Sequence, residues 1–426
     1  MSTKISSADF NRALEIGRPP NIRKLFPNSK ALIVSGKAVD RAMIKKGKAM
    51  TIAANARNSI IIKAVLKAAQ SANAAVILEI AKSESTYCLI NMWNIARYVD
   101  TICNELGITI PVAIHADHFG LKKTSEIDSA KLVIPSMFDA GITSIAIDAS
   151  HMNDEDNLLT NLELNPYIPS WAGYETEVGE IKGKEGLSTP EEALFLIQGL
   201  NAHGILPDWI ALNNGTTHGI EASDAGIQVE LTKKVHESLE NYGMSGAQHG
   251  TSGNSAERLK RIANETRTTK ANVATALQMI SWGVKVNEYG NAFLDDSDNF
   301  IKLQDSGATD GLWADMVSYA NEHGLKKGDY KKLNLPYENK LLSQPKEIRD
   351  RMEKGVEDFV YDLLSNCFNT KDTAPLAIEA ILEAGSYEIG PKATRIEDPQ
   401  GWSKEMIMEK AKTLNKAEGS KGNFDD

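Results

Sequence analysis

Cysteine, strongly basic segments and long apolar runs are all scarce in this chain of 426 residues. The three cysteines, Cys88, Cys103 and Cys367, are too few and too scattered for a disulfide framework or a metal-ligand pattern. The first twenty residues contain no apolar segment of signal-peptide type. No apolar run approaches the roughly 18–20 residues that cross a bilayer. We therefore expect a cytoplasmic protein that does not enter a membrane.

The charge balance argues against a nucleic-acid partner. The chain has 47 Lys and Arg against 57 Asp and Glu, a net charge of −10, and no basic stripe with interleaved aromatic residues. Binding of nucleic acid requires clustered cations that neutralise phosphates. A small phosphorylated molecule remains an acceptable ligand, because a local site can be electropositive within an acidic protein.

Short apolar runs alternate with helical patterns from about residue 50 onward. Eight candidate strands cover 49–55, 74–81, 111–117, 143–150, 173–180, 208–214, 245–250 and 283–290. Strands separated by helices pair in parallel, either as a doubly wound sheet or as a closed barrel. Nearly every candidate strand ends in polar residues of catalytic type, and a barrel forms its active site from the C-terminal ends of several strands. The pattern favours an α/β protein with a (β/α)8 TIM barrel.

Three regions are expected along the chain. Residues 1–45, rich in Lys, Arg and Pro, predict an N-terminal arm, and residues 46–366 contain the barrel catalytic domain. Residues 367–426 predict a C-terminal helical extension whose polar last stretch, about ten residues, we expect to be disordered.

The strongest local motif is HADH at 115–118, at the end of the third candidate strand. Strand alternation places His115 and Asp117 on one face, with His118 where the chain leaves the strand. Such a pair suits a metal ligand beside a carboxylate that transfers protons. By itself the motif is explained equally well by a hydrogen-bonded structural pair.

Three more residues of metal-ligand type follow later strands. Glu177 lies at the end of the fifth candidate strand, and His218 and His249 come after the sixth and seventh, each with glycine within two positions. The chain has only eight histidines, so this ordered placement is unexpected by chance. Imidazole and carboxylate ligands suit zinc or a similar divalent ion. His151 could line the site without binding metal, and Glu175, on the same strand face as Glu177, has a structural role at least as well supported.

Two loops extend the candidate site. The segment GTSGNSAE at 250–257 predicts a glycine-rich turn entering a helix with a capping box, which suits an anion, although an ordinary junction has the same pattern. The charged, glycine-punctuated loop at 179–186 suits a mobile lid that brings Glu180 or Glu185 into the site. A solvated loop is the competing interpretation.

In this order the motifs resemble the class II fructose-bisphosphate aldolase family over about residues 50–366. The matching elements are HADH (115–118), ETEVG (175–179), GTTHG (215–219) and HGTSG (249–253). The resemblance implies four ligands of a divalent ion, most of all Zn²⁺: His118, Glu177, His218 and His249. It implies Asp117 as the acid and base at the C4 hydroxyl, and Glu185 as the mobile-loop acid that handles the enediolate proton.

The resemblance also implies a set of substrate contacts. These are Asn55, Gly219, Gly250, Ser252, Asn287 as the final-strand asparagine, and Lys346. A monovalent cation, Na⁺ or K⁺, is implied near Gly219 and Gly250. Lys346 matches a residue that the family offers from a neighbouring subunit, which implies a homo-oligomer, a dimer or larger.

The chain departs from the family where phosphate is bound. Thr251 replaces a glycine and adds a β-branched side chain, which restricts the backbone. Glu288 follows Asn287 where the family has an Asp-Thr pair, and Ala81 replaces a serine after the second strand. Lys82 could supply a cation instead. The sequence therefore predicts the metal chemistry more firmly than the sugar.

The resemblance implies a reversible aldolase acting on a ketose phosphate or bisphosphate. Fructose 1,6-bisphosphate is the first candidate, cleaved to dihydroxyacetone phosphate and glyceraldehyde 3-phosphate. Charge on the enediolate needs a Lewis acid or a lysine Schiff base. Lys285 lies mid-strand, and no strand end displays a buried lysine, so the metal route is favoured. A sugar-phosphate epimerase or isomerase on the same fold, and a non-catalytic aldolase subunit, remain alternatives.

Overall fold

A parallel sheet organises the protein, which we describe from a computed structural model over residues 6–179, 186–215, 226–251, 254–287 and 290–414. A two-residue strand, β1 (Ile33–Val34), precedes eight longer ones. Strands β2 to β9 span Thr51–Asn55, Val76–Ala81, Val112–Gly120, Ser144–Asp148, Gly173–Val178, Trp209–Leu212, Ser245–Gln248 and Thr268–Val273.

The eight longer strands close on themselves. Their order is β4-β3-β2-β9-β8-β7-β6-β5, and β5 pairs with β4 through His115 and Ser144. The first and last strands meet where Thr51 pairs with Lys270. A closed ring of eight parallel strands with intervening helices is a TIM barrel, so the predicted fold is confirmed.

Helices surround the barrel and cover its lower end. In the described part of the chain, helices α1 to α8 span Ser7–Ile16, Pro20–Leu25, Gly36–Lys46, Ser59–Ala72, Ile95–Leu106, Ile127–Asp139, Asp154–Leu164 and Pro190–Ala202. Helices α9 to α16 span Val229–Ser238, Ala256–Glu265, Thr275–Trp282, Asp310–Glu322, Asn334–Leu342, Lys346–Asp362, Ala374–Ala384 and Lys404–Ala411. None of these helices combines the length and hydropathy that a bilayer-spanning segment requires.

The eighth strand is not the predicted one. The barrel is completed by β9, Thr268–Val273, whereas the predicted strand at 283–290 lies beyond α11 and, where described, forms only isolated antiparallel bridges. The valines of that segment supply apolar alternation but pack against an inserted core around Trp282. Strand β9 escaped prediction because its inward residues, Lys270 and Asn272, are polar, so no apolar run marks it.

An insertion between α11 and α14 builds its own small core. Residues 283–345, apart from 288 and 289, contribute a cluster of apolar and aromatic side chains that includes Phe300, Trp313 and Tyr330. Its helix α13 reaches the turn after β3, where the Leu335 N–H donates to the Tyr87 carbonyl oxygen at 2.9 Å. The insertion therefore packs at the C-terminal end of the barrel.

Helix α3 closes the N-terminal end of the barrel. Its Ala38 and Ala42 share a buried core with the inward-facing Ala53, Ala113 and Trp209 of the strands. The boundary expected at residue 45 thus falls within a helix that contributes to the barrel core. Helices α15 and α16 lie in the expected extension, and its last ten residues are outside the described part of the chain.

A buried lysine attaches the C-terminal extension beneath the barrel. The Lys392 ammonium donates to the Asp208 carbonyl oxygen and the Ser245 hydroxyl, each at 2.6 Å, and lies 2.7 Å from the Asp40 carboxylate. Burial lowers the pKa of Lys392, against the opposing effect of Asp40. The three contacts connect the extension to α3, to β8 and to the residue before β7.

Replacing Lys392 with methionine is expected to reduce the free energy of unfolding by about 1–3 kcal/mol. The Asp40 carboxylate would stay buried without its closest cation, but Arg41 at 3.1 Å would remain. Urea denaturation measures the change. Lys412→Met, which removes an exposed pair with Glu409, is the control. An unchanged midpoint for Lys392→Met would contradict this role.

Candidate active site

Polar residues fill the upper part of the barrel interior. Strand register places Glu79 beside His115 and Ala81 beside Asp117, so that inward residues form successive layers. The lower layer is apolar, and the middle layer includes Glu79, His115, Glu175 and Lys270. The C-terminal layer contains Asp117, Asp148, Glu177, His249 and Asn272, all buried.

A bulge directs His118 into this layer. Strand β4 continues to Gly120 rather than ending at residue 117, and its register with β5 shifts between Ala116 and Phe119. His118 has φ +41°, a left-handed conformation that is uncommon for a residue other than glycine. Regular alternation would direct Asp117 and His118 to opposite faces. The bulge lets both side chains serve one centre.

Nitrogen and oxygen ligand atoms converge beside the bulge. His118 Nδ1 lies 3.2 Å from Glu177 Oε1 and 3.4 Å from Asp148 Oδ2. His249 Nδ1 lies 3.8 Å from Glu177 Oε2, and the two imidazole rings are 4.2 Å apart. Three of the four predicted ligands therefore come together, while His218 lies outside the described residues. Asp148 was missed, although its polar side chain near the end of the fourth candidate strand, which is β5 in the structure, was the available signal.

The geometry and charge of this cluster fit a divalent cation. Ligands bound about 2 Å from a zinc ion lie about 3–4 Å from one another, which matches the separations of these atoms. Burial and the neighbouring Asp148 raise the pKa of Glu177 to about 8, against the effect of His118. The crowded carboxylates favour a positive charge between them, and the donor types are those of borderline metals.

Glu175 orients His249 through the ring nitrogen that does not face Glu177. The Nε2 atom of His249 lies 2.8 Å from Glu175 Oε1, and donation to this carboxylate directs Nδ1 towards Glu177. A carboxylate that holds the second nitrogen of a histidine ligand fixes both the tautomer and the ring orientation. Glu175, for which the sequence left a structural role open, thus supports the candidate ligands.

Lys270 is a functional candidate that the sequence analysis missed. Its ammonium lies 2.8 Å from Glu175 Oε2, 3.3 Å from Glu79 Oε2 and 3.7 Å from Asp117 Oδ1. Burial opposes its charge, but the three carboxylates raise its pKa overall. Lys285, considered from the sequence, lies outside the barrel strands. The sequence signal that could have identified Lys270 is the spacing of two polar residues, Lys270 and Asn272, on one face of the segment TTKANV.

Asp117 is held as a buried carboxylate. Its Oδ1 accepts a hydrogen bond from Asn272 Nδ2 at 2.9 Å. Burial favours its neutral form, but His118 and Lys270 outweigh this and lower the pKa of Asp117 to about 2. Asp117 is therefore ionised at neutral pH, in the state that accepts a proton.

The predicted substrate residues have different surroundings. Gly250 follows β8 with φ +61°, a conformation that glycine adopts readily. Asn55 ends β2 and is buried. The side chain of Lys346, at the start of α14, is 74% exposed and lies 2.5 Å from Asp350. Three further predicted residues lie outside the described residues: Glu185, Gly219 and Ser252.

The final-strand asparagine is Asn272 rather than Asn287. Asn287 lies in the insertion, where its side chain accepts the N–H of Asn291 at 3.0 Å, because the strand on which its role depended is not part of the barrel. Glu288, which was compared with the family's phosphate-binding pair, lies outside the described residues. After Asn272 the chain reads Val-Ala-Thr, which contains no acidic residue.

Known proteins are similar to this chain in sequence. The chain is 30% identical over 236 residues to the fructose-bisphosphate aldolase of Staphylococcus aureus strain Mu50, covering 53% of this chain and 76% of that protein. It is 32% identical over 224 residues to the 6-phospho-5-dehydro-2-deoxy-D-gluconate aldolase of Halalkalibacterium halodurans, covering 50% and 72%.

Solved structures share the fold. The YdjI aldolase of Escherichia coli K12 matches with a TM-score of 0.54 at 17% identity, covering 80% of this chain and 99% of that one. The fructose-bisphosphate aldolase of Campylobacter jejuni matches with a TM-score of 0.51 at 19% identity, covering 80% and 97%. The family model described as fructose-bisphosphate aldolase class-II matches residues 38–355. With most of its length matched, the chain belongs to the class II fructose-bisphosphate aldolase family, whose members are metal-dependent lyases.

Proposed function

We propose that this protein is an aldolase that reversibly cleaves a ketose phosphate into dihydroxyacetone phosphate and an aldehyde. Fructose 1,6-bisphosphate is the first substrate to test, and Zn²⁺ is the proposed ion, held by His118, Glu177, His218 and His249. The observation that carries the proposal is the buried Asp117 carboxylate, which accepts a hydrogen bond from Asn272 and lies next to a convergent set of metal-type ligands. This pairing is what carbon–carbon cleavage next to a carbonyl requires.

Asp117 performs the proton transfer in this proposal. It removes the proton of the C4 hydroxyl as the C3–C4 bond breaks, and it returns the proton in the condensation direction. Asn272 and Lys270 hold its carboxylate in place. When bound, the divalent ion supplies Lewis-acid stabilisation of the enediolate oxygens. An intact Asp117 is the reason to prefer a catalytic subunit over a non-catalytic one.

The remaining assignments complete the proposed site. Glu185 would handle the enediolate proton, and Asn272 takes the substrate contact first expected of Asn287. Gly250, Ser252 and Gly219 would bind the phosphate of dihydroxyacetone phosphate, with Na⁺ or K⁺ nearby. The exposed Lys346 supports a homo-oligomer in which it reaches a neighbouring subunit.

The names of the relatives leave the sugar open. A relative named for fructose bisphosphate and one named for a singly phosphorylated sugar acid match this chain at 30% and 32% identity. Family membership therefore supports the reaction type more strongly than any one substrate. A panel of ketose phosphates belongs in the first experiment.

Removal of the metal is expected to abolish cleavage. A coupled assay that detects dihydroxyacetone phosphate should lose its signal after exhaustive chelation and regain it with Zn²⁺. His249→Ala should lose both metal content and turnover, because it removes a ligand and the contact with Glu175. His323→Ala, a change at an exposed helix-end histidine, should keep both. Full activity after complete metal removal would refute the proposal, and an epimer formed without triose would favour the epimerase alternative.

A further inference from the structure

A buried glutamate accepts three hydrogen bonds at the rim of the barrel. Glu84 lies in the single 3₁₀ turn after β3 and is only 2% exposed. Its Oε1 accepts from Arg57 Nε at 2.6 Å. Its Oε2 accepts from Asn55 Nδ2 and from the Ala81 N–H, both at 2.9 Å.

These three donors form a complete anion site. A guanidinium, a side-chain amide and a backbone N–H are the groups that proteins direct towards carboxylates and phosphates. Here the anion is part of the chain itself. Asn55, which the family resemblance assigns to the substrate, instead donates to Glu84.

The anion site adjoins the catalytic carboxylate. Ala81 is in register with Asp117 on the neighbouring strand, and the Lys82 N–H donates to the Asp117 carbonyl oxygen at 3.2 Å. Of the proposed ligands, His118 and Glu177 lie on β4 and β6, and the other two follow β7 and β8 along the chain. The sector formed by β2 and β3 is therefore where a substrate would extend beyond C4, on the side of Asp117 away from these ligands.

Residues of α11 and of the insertion hold Arg57 in this arrangement. Arg57 Nη1 donates to Gln278 Oε1 at 3.0 Å, and the same oxygen accepts from Asn334 Nδ2 of α13 at 2.7 Å. Arg57 is itself buried. Moving Glu84 away from Arg57 would leave two buried charges unpaired, which is energetically costly. We therefore expect the Arg57–Glu84 ion pair to persist during turnover.

We propose that Glu84 is a built-in anion that replaces the second phosphate of the substrate. The enzyme would then prefer a ketose with one phosphate, at its dihydroxyacetone end, over a bisphosphate. A phosphate arriving at the β2–β3 rim would meet occupied donors and a fixed negative charge. The proposal rests on the proposed aldolase function and narrows its substrate class.

Lys82 is another cation at this rim, and it is the alternative candidate for binding a second phosphate. Its ammonium donates to the Gly120 carbonyl oxygen at 2.7 Å and lies 4.7 Å from the centre of the Phe119 ring. Burial lowers the pKa of Lys82. The contacts direct this group towards the end of β4 rather than towards Glu84. If Lys82 bound a second phosphate, bisphosphates would be preferred, which makes the two possibilities separable.

Comparison of two substrates tests the proposal directly. The purified metal-loaded enzyme should cleave fructose 1-phosphate with a kcat/KM at least about tenfold above that for fructose 1,6-bisphosphate, a factor equal to about 1.4 kcal/mol. Equal or better cleavage of the bisphosphate would overturn the role of Glu84 and leave the aldolase function standing. Failure to cleave any ketose phosphate would overturn both.

Variants of Glu84 give a readout that does not depend on turnover. Glu84→Ala opens the donor cluster, so inorganic phosphate should raise its Tm by several degrees more than that of the wild type. Glu84→Gln keeps the side-chain volume without the charge and should show a smaller effect. Glu126→Ala, which removes a carboxylate that accepts the Lys122 N–H after β4, is the control. Equal phosphate responses of Glu84→Ala and Glu126→Ala would overturn the proposal.

Discussion

Replacement of Asp117 with alanine is expected to reduce kcat by about 100- to 10,000-fold, the usual contribution of a positioned acid or base. Asp117 is ionised and lies 2.9 Å from Asn272 Nδ2, so it is poised to accept the hydroxyl proton. Metal content should remain near that of the wild type, because His118, Glu177 and His249 keep their mutual contacts. Steady-state kinetics and metal analysis of the same preparation measure both effects.

Asp117→Asn separates the chemistry from the packing in this experiment. It retains the volume of the side chain but provides no carboxylate for the proton, so it should be as inactive as Asp117→Ala. KM should change far less than kcat in both variants, since a proton transfer is what they lack. A near wild-type rate for either variant would exclude Asp117 from the reaction.

Replacement of Lys270 with methionine is expected to lower the free energy of unfolding by about 3–5 kcal/mol, the range for breaking a buried charge pair. The ammonium contacts carboxylates of Glu175, Glu79 and Asp117 inside the barrel. Burial and the neighbouring Asp117 already raise the pKa of Glu79, and loss of Lys270 would raise it further. Denaturant unfolding without added metal measures the loss.

A surface lysine provides the control for this change. Lys340 lies 2.6 Å from Asp315, but both side chains are more than half exposed, so Lys340→Met should cost less than about 1 kcal/mol. The defect of Lys270→Met should diminish at low pH, where protons can neutralise the stranded carboxylates. Equal stability of the two variants would show that Lys270 does not hold the barrel interior together.

Sequence patterns predicted the barrel and the family because the relevant signals are local. Most of strands β2 to β8 carry alternating or continuous apolar residues. HADH and ETEVG lie in the C-terminal parts of β4 and β6, and HGTSG begins directly after β8. The fold and the family are confirmed. The individual roles of Asp117, His118 and the other predicted site residues stay predictions, to be tested by the variants described above.

The remaining features depend on tertiary structure. The inward-facing residues of β9 are polar, so no apolar run marks this strand. The prediction therefore placed the eighth strand in a later apolar segment, at 283–290. The bulge at His118 is a backbone property that alternation does not reveal. The contacts of Glu84 with Asn55 and Arg57 join residues 27 and more positions apart, and only strand pairing brings them together.

Lys270 also affects the order in which the active protein is assembled. Because this cation is part of the chain, Glu79 and Glu175 acquire a positive partner as soon as β9 joins β2 and β8. Small zinc domains, by contrast, remain unfolded until the ion binds. We expect this barrel to mature in two steps, in which a folded apo-protein forms first and captures its ion afterwards. The supply of metal would then control activity without controlling how much folded protein the cell retains.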